Sequence, residues 1–289
     1  MGAKVYSLTH RKGADEFYLI VTPDGVTDHF TSQRDEVFRL YDNQLDQLFL
    51  ARDSVIWATF YLSDCMNQEQ QLRQCPRFLE LIAYAAVSVL EGKPIGSKIA
   101  ILAYHIRSPL PVEKNAVDME PFGIPAMGMA FRAGTLEHIV IKNALPAMAG
   151  SMAQQANDLF GRTEAFFNHL QLPLQSFVRT WIYIRDIGKY YADMVNERRS
   201  FYYRKGLTIS TGFPASTGIG GFSKDPNQLL LLDGIIIRGA ETGQIRRMQA
   251  LSHLCSTMDY GVTFERGIEV VYGDRRHFHI SGTASISPN

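Results

Sequence analysis

Cysteine is scarce in this 289-residue chain: Cys65, Cys75 and Cys255 are the only three, and their spacing matches neither a paired framework nor a metal knuckle. A disulfide-stapled fold and a zinc site are therefore excluded as organising principles. What remains is a set of simple thiols, with no metal expected. Net charge is missing too. Lysine plus arginine and aspartate plus glutamate number 29 each, so no long-range field draws the chain to nucleic acid. No apolar stretch approaches the ~18 residues that a membrane span requires. The opening Met1-Gly2-Ala3-Lys4-Val5-Tyr6 has no signal-type apolar run, and Tyr6 stands where a myristoylation signal needs serine or threonine. These absences predict a cytoplasmic protein with neither nucleic acid nor membrane as a partner.

What is present is apolar patterning. Hydrophobic residues make up 46% of the chain, enough for real cores and too many for disorder. The length suits two ordinary domains or several small repeats. Repetition is visible. The run Ser54-Val55-Ile56-Trp57-Ala58-Thr59-Phe60-Tyr61-Leu62-Ser63-Asp64 aligns with Ser176-Phe177-Val178-Arg179-Thr180-Trp181-Ile182-Tyr183-Ile184-Arg185-Asp186, sharing serine, tyrosine and aspartate in register. Glycines 13, 134 and 273 each open a half-buried strand pattern that reaches an isoleucine at the same distance: Ile20, Ile141 and Ile280.

Hairpin, helix, strand, helix, strand thus occurs twice. The predicted division is a degenerate unit over 1–106, a linker over 107–126, a unit over 127–238, a linker over 239–266, and the start of a third unit over 267–289. In the first unit the pattern predicts a helix from Arg34 to Leu50, a strand from Val55 to Leu62, a helix from Glu69 to Leu90 interrupted at Pro76, and a strand from Ile99 to Ile106. In the second it predicts strand Glu137–Ile141, helix Ser151–Leu170, strand Phe177–Ile184, helix Tyr190–Tyr203, strand Ala215–Gly220, and Leu229–Ile237 closing the sheet. The third unit shows two strands and no helices. A hairpin alone leaves an apolar face bare, so a chain cut short is the expectation. Alternating elements in two layers make an α+β fold.

Several of these residues resemble the chorismatase branch of the Rid (YjgF) superfamily. The resemblance covers about residues 130–286 and is strongest at Arg179–Asp186, Asn196–Phe201, Phe213-Pro214-Ala215-Ser216-Thr217-Gly218-Ile219 and Ile280–Ile286. It implies chorismate-mutase-like units, each a mixed sheet with helices on one face, in a pseudo-trimeric arrangement with ligand clefts between units. It also implies an enzyme that converts chorismate to pyruvate and a hydroxybenzoate or dihydroxycyclohexadiene carboxylate, without metal or organic cofactor. The alternative is a non-catalytic Rid-like module that binds a small carboxylate or self-associates through its units. Two departures from the pattern stand out. Imine-hydrolysing Rid proteins place an arginine where this chain reads Ala215-Ser216-Thr217, so imine hydrolysis is not expected here. Chorismatases place a catalytic glutamate late in the final unit, beyond the reach of this chain, so no catalytic residue is assigned.

A chorismate site needs cations in a fixed fork, apolar walls and backbone N–H groups. The candidate substrate-binding residues are Arg199, which shares a helix face with Asn196; Ser216, Thr217 and Gly218 on a small-residue strand; Tyr260 and Arg266 in a crossing segment; and Ser281, Gly282 and Thr283, which repeat the small-residue chemistry. Arg179 and Arg185 read as a solvated sheet face or unit interface, Arg199 equally as a salt-bridged helix surface, and His277 and His279 as a packed pair.

Overall fold

The computed structural model describes residues 2–9, 13–25, 27–109, 111–124, 126–132, 135–249 and 262–282. Its first part runs β1 (Ala3–Leu8), β2 (Asp15–Val21), α1 (Phe30–Gln47), β3 (Val55–Leu62), α2 (Cys65–Arg73), α3 (Pro76–Ile82), β4 (Ala86–Glu91) and β5 (Ile99–Arg107). The second part runs β6 (Glu113–Asp118), β7 (Met127–Arg132), β8 (Glu137–Ala144), α4 (Met152–Leu170), β9 (Phe177–Ile184), α5 (Ile187–Arg204), β10 (Ala215–Gly220) and β11 (Leu230–Arg238). A last group is β12 (Ile245–Met248), β13 (Gly267–Val271) and β14 (Arg276–Ile280).

The repeat is realised as topology. The first sheet has the order β1-β2-β5-β3-β4, and the second contains β7-β8-β11-β9-β10, the same order with β6 added beside β7. In each, one strand pair is parallel (β3 with β4, β9 with β10) and the rest are antiparallel. The fold is therefore mixed-sheet α+β. The third sheet, β12-β13-β14, has the hairpin and no helix among the described residues.

Helix faces explain the layers. Val37, Phe38, Tyr41 and Leu45 of α1 bury against Leu19, Phe60 and Ile101 of the first sheet. Ala156, Leu159, Phe160, Phe166 and Phe167 of α4 do the same against Ile139, Ile182 and Leu232. Each fully buried Leu, Ile or Phe contributes roughly 1.5–3 kcal/mol. A capping box starts α4: Gln154 N donates to Ser151 Oγ at 3.3 Å, and Ser151 N donates to Gln154 Oε1 at 2.9 Å. The opposite sheet faces pack on one another. Ile56, Tyr104 and Ile106 meet Met129, Phe131 and Val140, while Ile268, Val270 and Tyr272 of the third sheet meet Val178, Ala215 and Ile237. No helix among the described residues is long and apolar enough to cross a membrane.

Four expectations change. Residues 86–91, expected to end a helix, form β4 beside β3, because a short apolar run rich in valine suits a buried strand as well as a helix. The 107–126 segment, read as linker from its prolines, contains β6, an edge strand paired with β7. Likewise 239–266 contains β12, paired with β13. β11 does not close its sheet. It lies between β8 and β9, and β10 forms the edge. Gly134, Cys255, Tyr260 and Thr283 lie outside the described residues.

Candidate functional site

β9 and β10 run side by side, and alternation along a strand sends successive side chains to opposite faces. Arg179, Trp181 and Tyr183 of β9 share the inner face with Thr217 and Ile219 of β10. Together they line a cleft of about 650 Å³, with Tyr61, Lys93 and Gly282 across from them. Thr180, Ser216 and Gly218 take the outer face, against α5.

Arg179 is 5% exposed, although it faces the cleft. Its guanidinium stacks on Trp181 at 4.4 Å, and Nη2 donates to Thr217 Oγ1 at 2.6 Å. Nη1 is buried and has no partner among the described residues. Burial lowers the Arg179 pKa to about 10, still leaving it charged at neutral pH. Thr217 Oγ1 accepts a second bond, from Gly282 N at 2.8 Å. With both acceptor positions taken, the Thr217 proton is left to donate into the cleft. Gly282 is needed for that approach, since a Cβ there would stand 2.8 Å from Thr217 Cγ2. Among the described residues, a guanidinium N–H and a hydroxyl proton without acceptors thus stand side by side, the donor arrangement that a carboxylate accepts from.

The remaining predicted residues divide. Ser216 is buried behind the strand, where its Oγ accepts from Thr180 Oγ1 at 2.8 Å and from Arg198 Nη1 at 3.3 Å. Gly218 admits the ring of Tyr191, whose Cε2 would lie 2.8 Å from an added Cβ. Ser281 lines the cleft, but its hydroxyl is spent on structure: it accepts from Ser216 N at 2.8 Å and donates to Glu265 O at 2.5 Å. Arg266 is buried on the segment that flanks β10, and its carbonyl accepts from Ser281 N at 2.9 Å. Arg199 is half-buried on α5, bonds none of the cleft residues among those described, and its buried Nε has no partner among the described residues. Its neighbour Arg198 is the residue that packs into the strand, 2% exposed, with Nε donating to Thr263 Oγ1 at 3.2 Å. Burial lowers its pKa.

Sequence reading put Arg179 on a solvated sheet face or a unit interface, whereas it is buried, and did not name Lys93. The signal for Arg179 was its position two residues before Trp181 on the strand that pairs with Ala215–Gly220, which puts a cation on the same face as Thr217. Arg185, expected to share a face with Arg179, lies past the strand end and donates to the carbonyls of Gln228, Ser223 and Asp225 at 3.0, 2.6 and 2.9 Å. His277 bonds Glu16 and Tyr272 at 3.1 Å each. Burial lowers the His279 pKa to about 3, so that imidazole is neutral. Cys65 and Cys75 are free and buried.

No family model matches this sequence, and no curated protein matches it. Comparison with solved structures does find similarity. A chorismatase crystal structure superposes with a TM-score of 0.57 at 15% identity, covering 96% of this chain and 71% of that one. A YjgF-family protein from Neisseria meningitidis matches at 17% identity over 39% of this chain and 87% of its own, with a TM-score of 0.32. A YjgF/YER057c/UK114-family protein from Mycobacterium tuberculosis matches at 17% identity over 43% and 98%, with a TM-score of 0.31. This chain has the fold of that chorismatase structure.

Proposed function

We propose that this chain binds chorismate, or a carboxylate of that shape, in the cleft between β9–β10 and Gly282, and cleaves its enolpyruvyl ether. The single observation that carries the reading is the buried Arg179 Nη1 beside the Thr217 hydroxyl, two donors with no acceptor among the described residues. Lys93 at the mouth supplies a second cation, and Trp181, Tyr183 and Tyr61 supply the apolar walls for a ring. On the way to the dihydroxycyclohexadiene carboxylate one water is consumed: the enol ether is protonated at its terminal carbon, water adds to the resulting oxocarbenium carbon, and the hemiketal breaks its C–O bond to release pyruvate and the ring alcohol. On the way to a hydroxybenzoate no net water is consumed, because the ring C–O bond breaks as the terminal carbon is protonated and the ring loses a proton to become aromatic. The chorismatase fold supports this choice of substrate. The reading takes 1–106 and 127–238 as Rid-like units, with 267–289 opening a third.

A second reading is favoured by one specific observation. No carboxylic acid side chain lines the cleft among the described residues, and burial pushes the phenols of Tyr61 and Tyr183 up, which makes them weak acids. Binding without turnover is the function such a cleft supports by itself. Calorimetric titration with chorismate, paired with a pyruvate-release assay and mass spectrometry of the ring product, separates the two. Binding with pyruvate release supports the enzyme, and binding alone supports the carboxylate-binding module. Absence of both overturns the assignment of the cleft.

A further inference from the structure

Lys114, on edge strand β6, reaches back to the first sheet. Its Nζ donates to Asp53 O at 2.7 Å and to Val55 O at 2.6 Å. These carbonyls lie at the end of the 3-10 turn Arg52–Ser54. No carboxylate pairs with Nζ among the described residues. The same amine flanks a cavity of about 590 Å³, with Leu50, Ile56, Tyr84 and Ile106 among its walls. The Tyr84 ring centroid is 6.0 Å from Nζ.

An ammonium has three donors, and the two carbonyls occupy two of them. When Lys114 loses its proton, the two remaining N–H bonds stay with those carbonyls, and the lone pair takes the third position. Deprotonation therefore breaks no hydrogen bond to the protein. Burial lowers the Lys114 pKa to about 8, against the opposing pull of the Asp53 charge. The other groups around it do not restore a counter-charge. Arg107 is ion-paired with Asp15 at 2.7 Å. Burial lowers the His105 pKa to about 3, so it is neutral. The Ser54 hydroxyl is engaged with Ala51 O and His105 Nδ1. At pH 7 about one Lys114 in ten is a free amine, against about one in three thousand for an ordinary lysine.

We propose that this cavity captures apolar or aromatic aldehydes, with Lys114 as the amine that condenses with them. The Nζ lone pair forms a C–N bond to the carbonyl carbon as the C=O π pair moves to oxygen. A proton passes from nitrogen to that oxygen. The resulting carbinolamine expels water and leaves an imine, so amine plus aldehyde becomes imine plus water with no change of oxidation state.

The test uses the full chain with benzaldehyde and sodium cyanoborohydride at pH 7. The hydride adds to the imine carbon and fixes a benzyl amine, which peptide mass spectrometry locates. The expected result is labelling of Lys114 at least tenfold faster than of any other lysine, with glyoxylate, a charged aldehyde, showing no such preference. Lys114→Arg, which keeps the charge and donors, should remove the fast phase and leave the slow one. Equal labelling of all lysines, or a spared Lys114, would make the residue a structural cap of the turn and overturn the proposal. Glyoxylate labelling Lys114 as fast as benzaldehyde would overturn the aldehyde class assigned to the cavity.

Discussion

Lys142 of β8 and Asp233 of β11, neighbouring strands of the second sheet, form an ion pair on the face that meets the first sheet, with side chains 6% and 0% exposed. The pair is fully bonded. Lys142 Nζ also donates to Thr59 Oγ1 at 2.7 Å and stands 4.9 Å from the Trp57 ring, while Asp233 Oδ1 accepts from Ser88 Oγ at 2.6 Å and Asn143 N at 2.8 Å. Strands of both sheets therefore converge on two charges, and the pair fixes how the sheets face each other.

Removing one partner leaves the other charged in a dry interior. Lys142→Met is expected to cost about 3–5 kcal/mol. Adding Asp233→Asn should recover more than half of that loss, because asparagine still accepts from Ser88 and Asn143 without a charge. Urea unfolding of both variants measures the difference. A single variant as stable as the parent would show that the pair does not hold the sheets.

A second buried carboxylate sets the acid limit. Burial pushes Glu16 up, but hydrogen bonding to His277, the charges of His277 and Arg275 and the Tyr104 hydroxyl more than offset it and hold Glu16 at about 2. Its folded pKa lies below its ordinary value of 4.5, so its contribution is complete above that pH and lost as pH falls toward 2. The shift corresponds to about 3 kcal/mol. Glu16→Gln should be less stable at pH 7 and should flatten the stability curve between those two limits, as chemical denaturation at stepped pH would show.

Histidines act at milder pH. Burial lowers the pKa of both His105 and His138 to about 3 from an ordinary 6.5. Below the ordinary value the unfolded chain takes up protons that the folded chain refuses, so stability falls as pH drops. Each histidine should contribute a slope of about 1.4 kcal/mol per pH unit. Replacing His105 or His138 with asparagine should remove one proton of that slope between pH 6 and pH 4, whatever it does to stability at pH 7.

The cleft makes a prediction about faces. Arg179→Met should weaken chorismate binding by about 10- to 100-fold, the range of a lost charge-assisted bond. Thr217→Val should weaken it by about fivefold. Ser216→Ala, on the helix side of the same strand, should leave affinity within about twofold and lower stability instead. Calorimetry reads all three, and equal losses at Ser216 and Thr217 would contradict the face assignment.

Gly234 offers a packing test. A Cβ at this position would stand 2.1 Å from Phe177 Cε2, beside a register shift in the β11–β8 pairing. Gly234→Ala should destabilise by about 1–3 kcal/mol, and adding Phe177→Leu should return part of it.

The sequence by itself determined the α+β class, the repeated order of elements and the exact spans of β3, β9 and β10, because periods of two and near 3.6 are local and survive without tertiary information. It also determined that small residues would stand at the end of β10. It could not separate Ser216 from Thr217, because which face of a strand meets a ligand depends on the layer packed behind it, here α5. It missed β4 and β6: a short valine-rich run and a proline-flanked polar run become strands only when a partner supplies the hydrogen bonds. Tertiary structure alone decided that Arg179 enters the cleft while Arg198, and not Arg199, packs into β10. A buried guanidinium is recognised by what surrounds it, and those surroundings come from strands and helices distant in the chain.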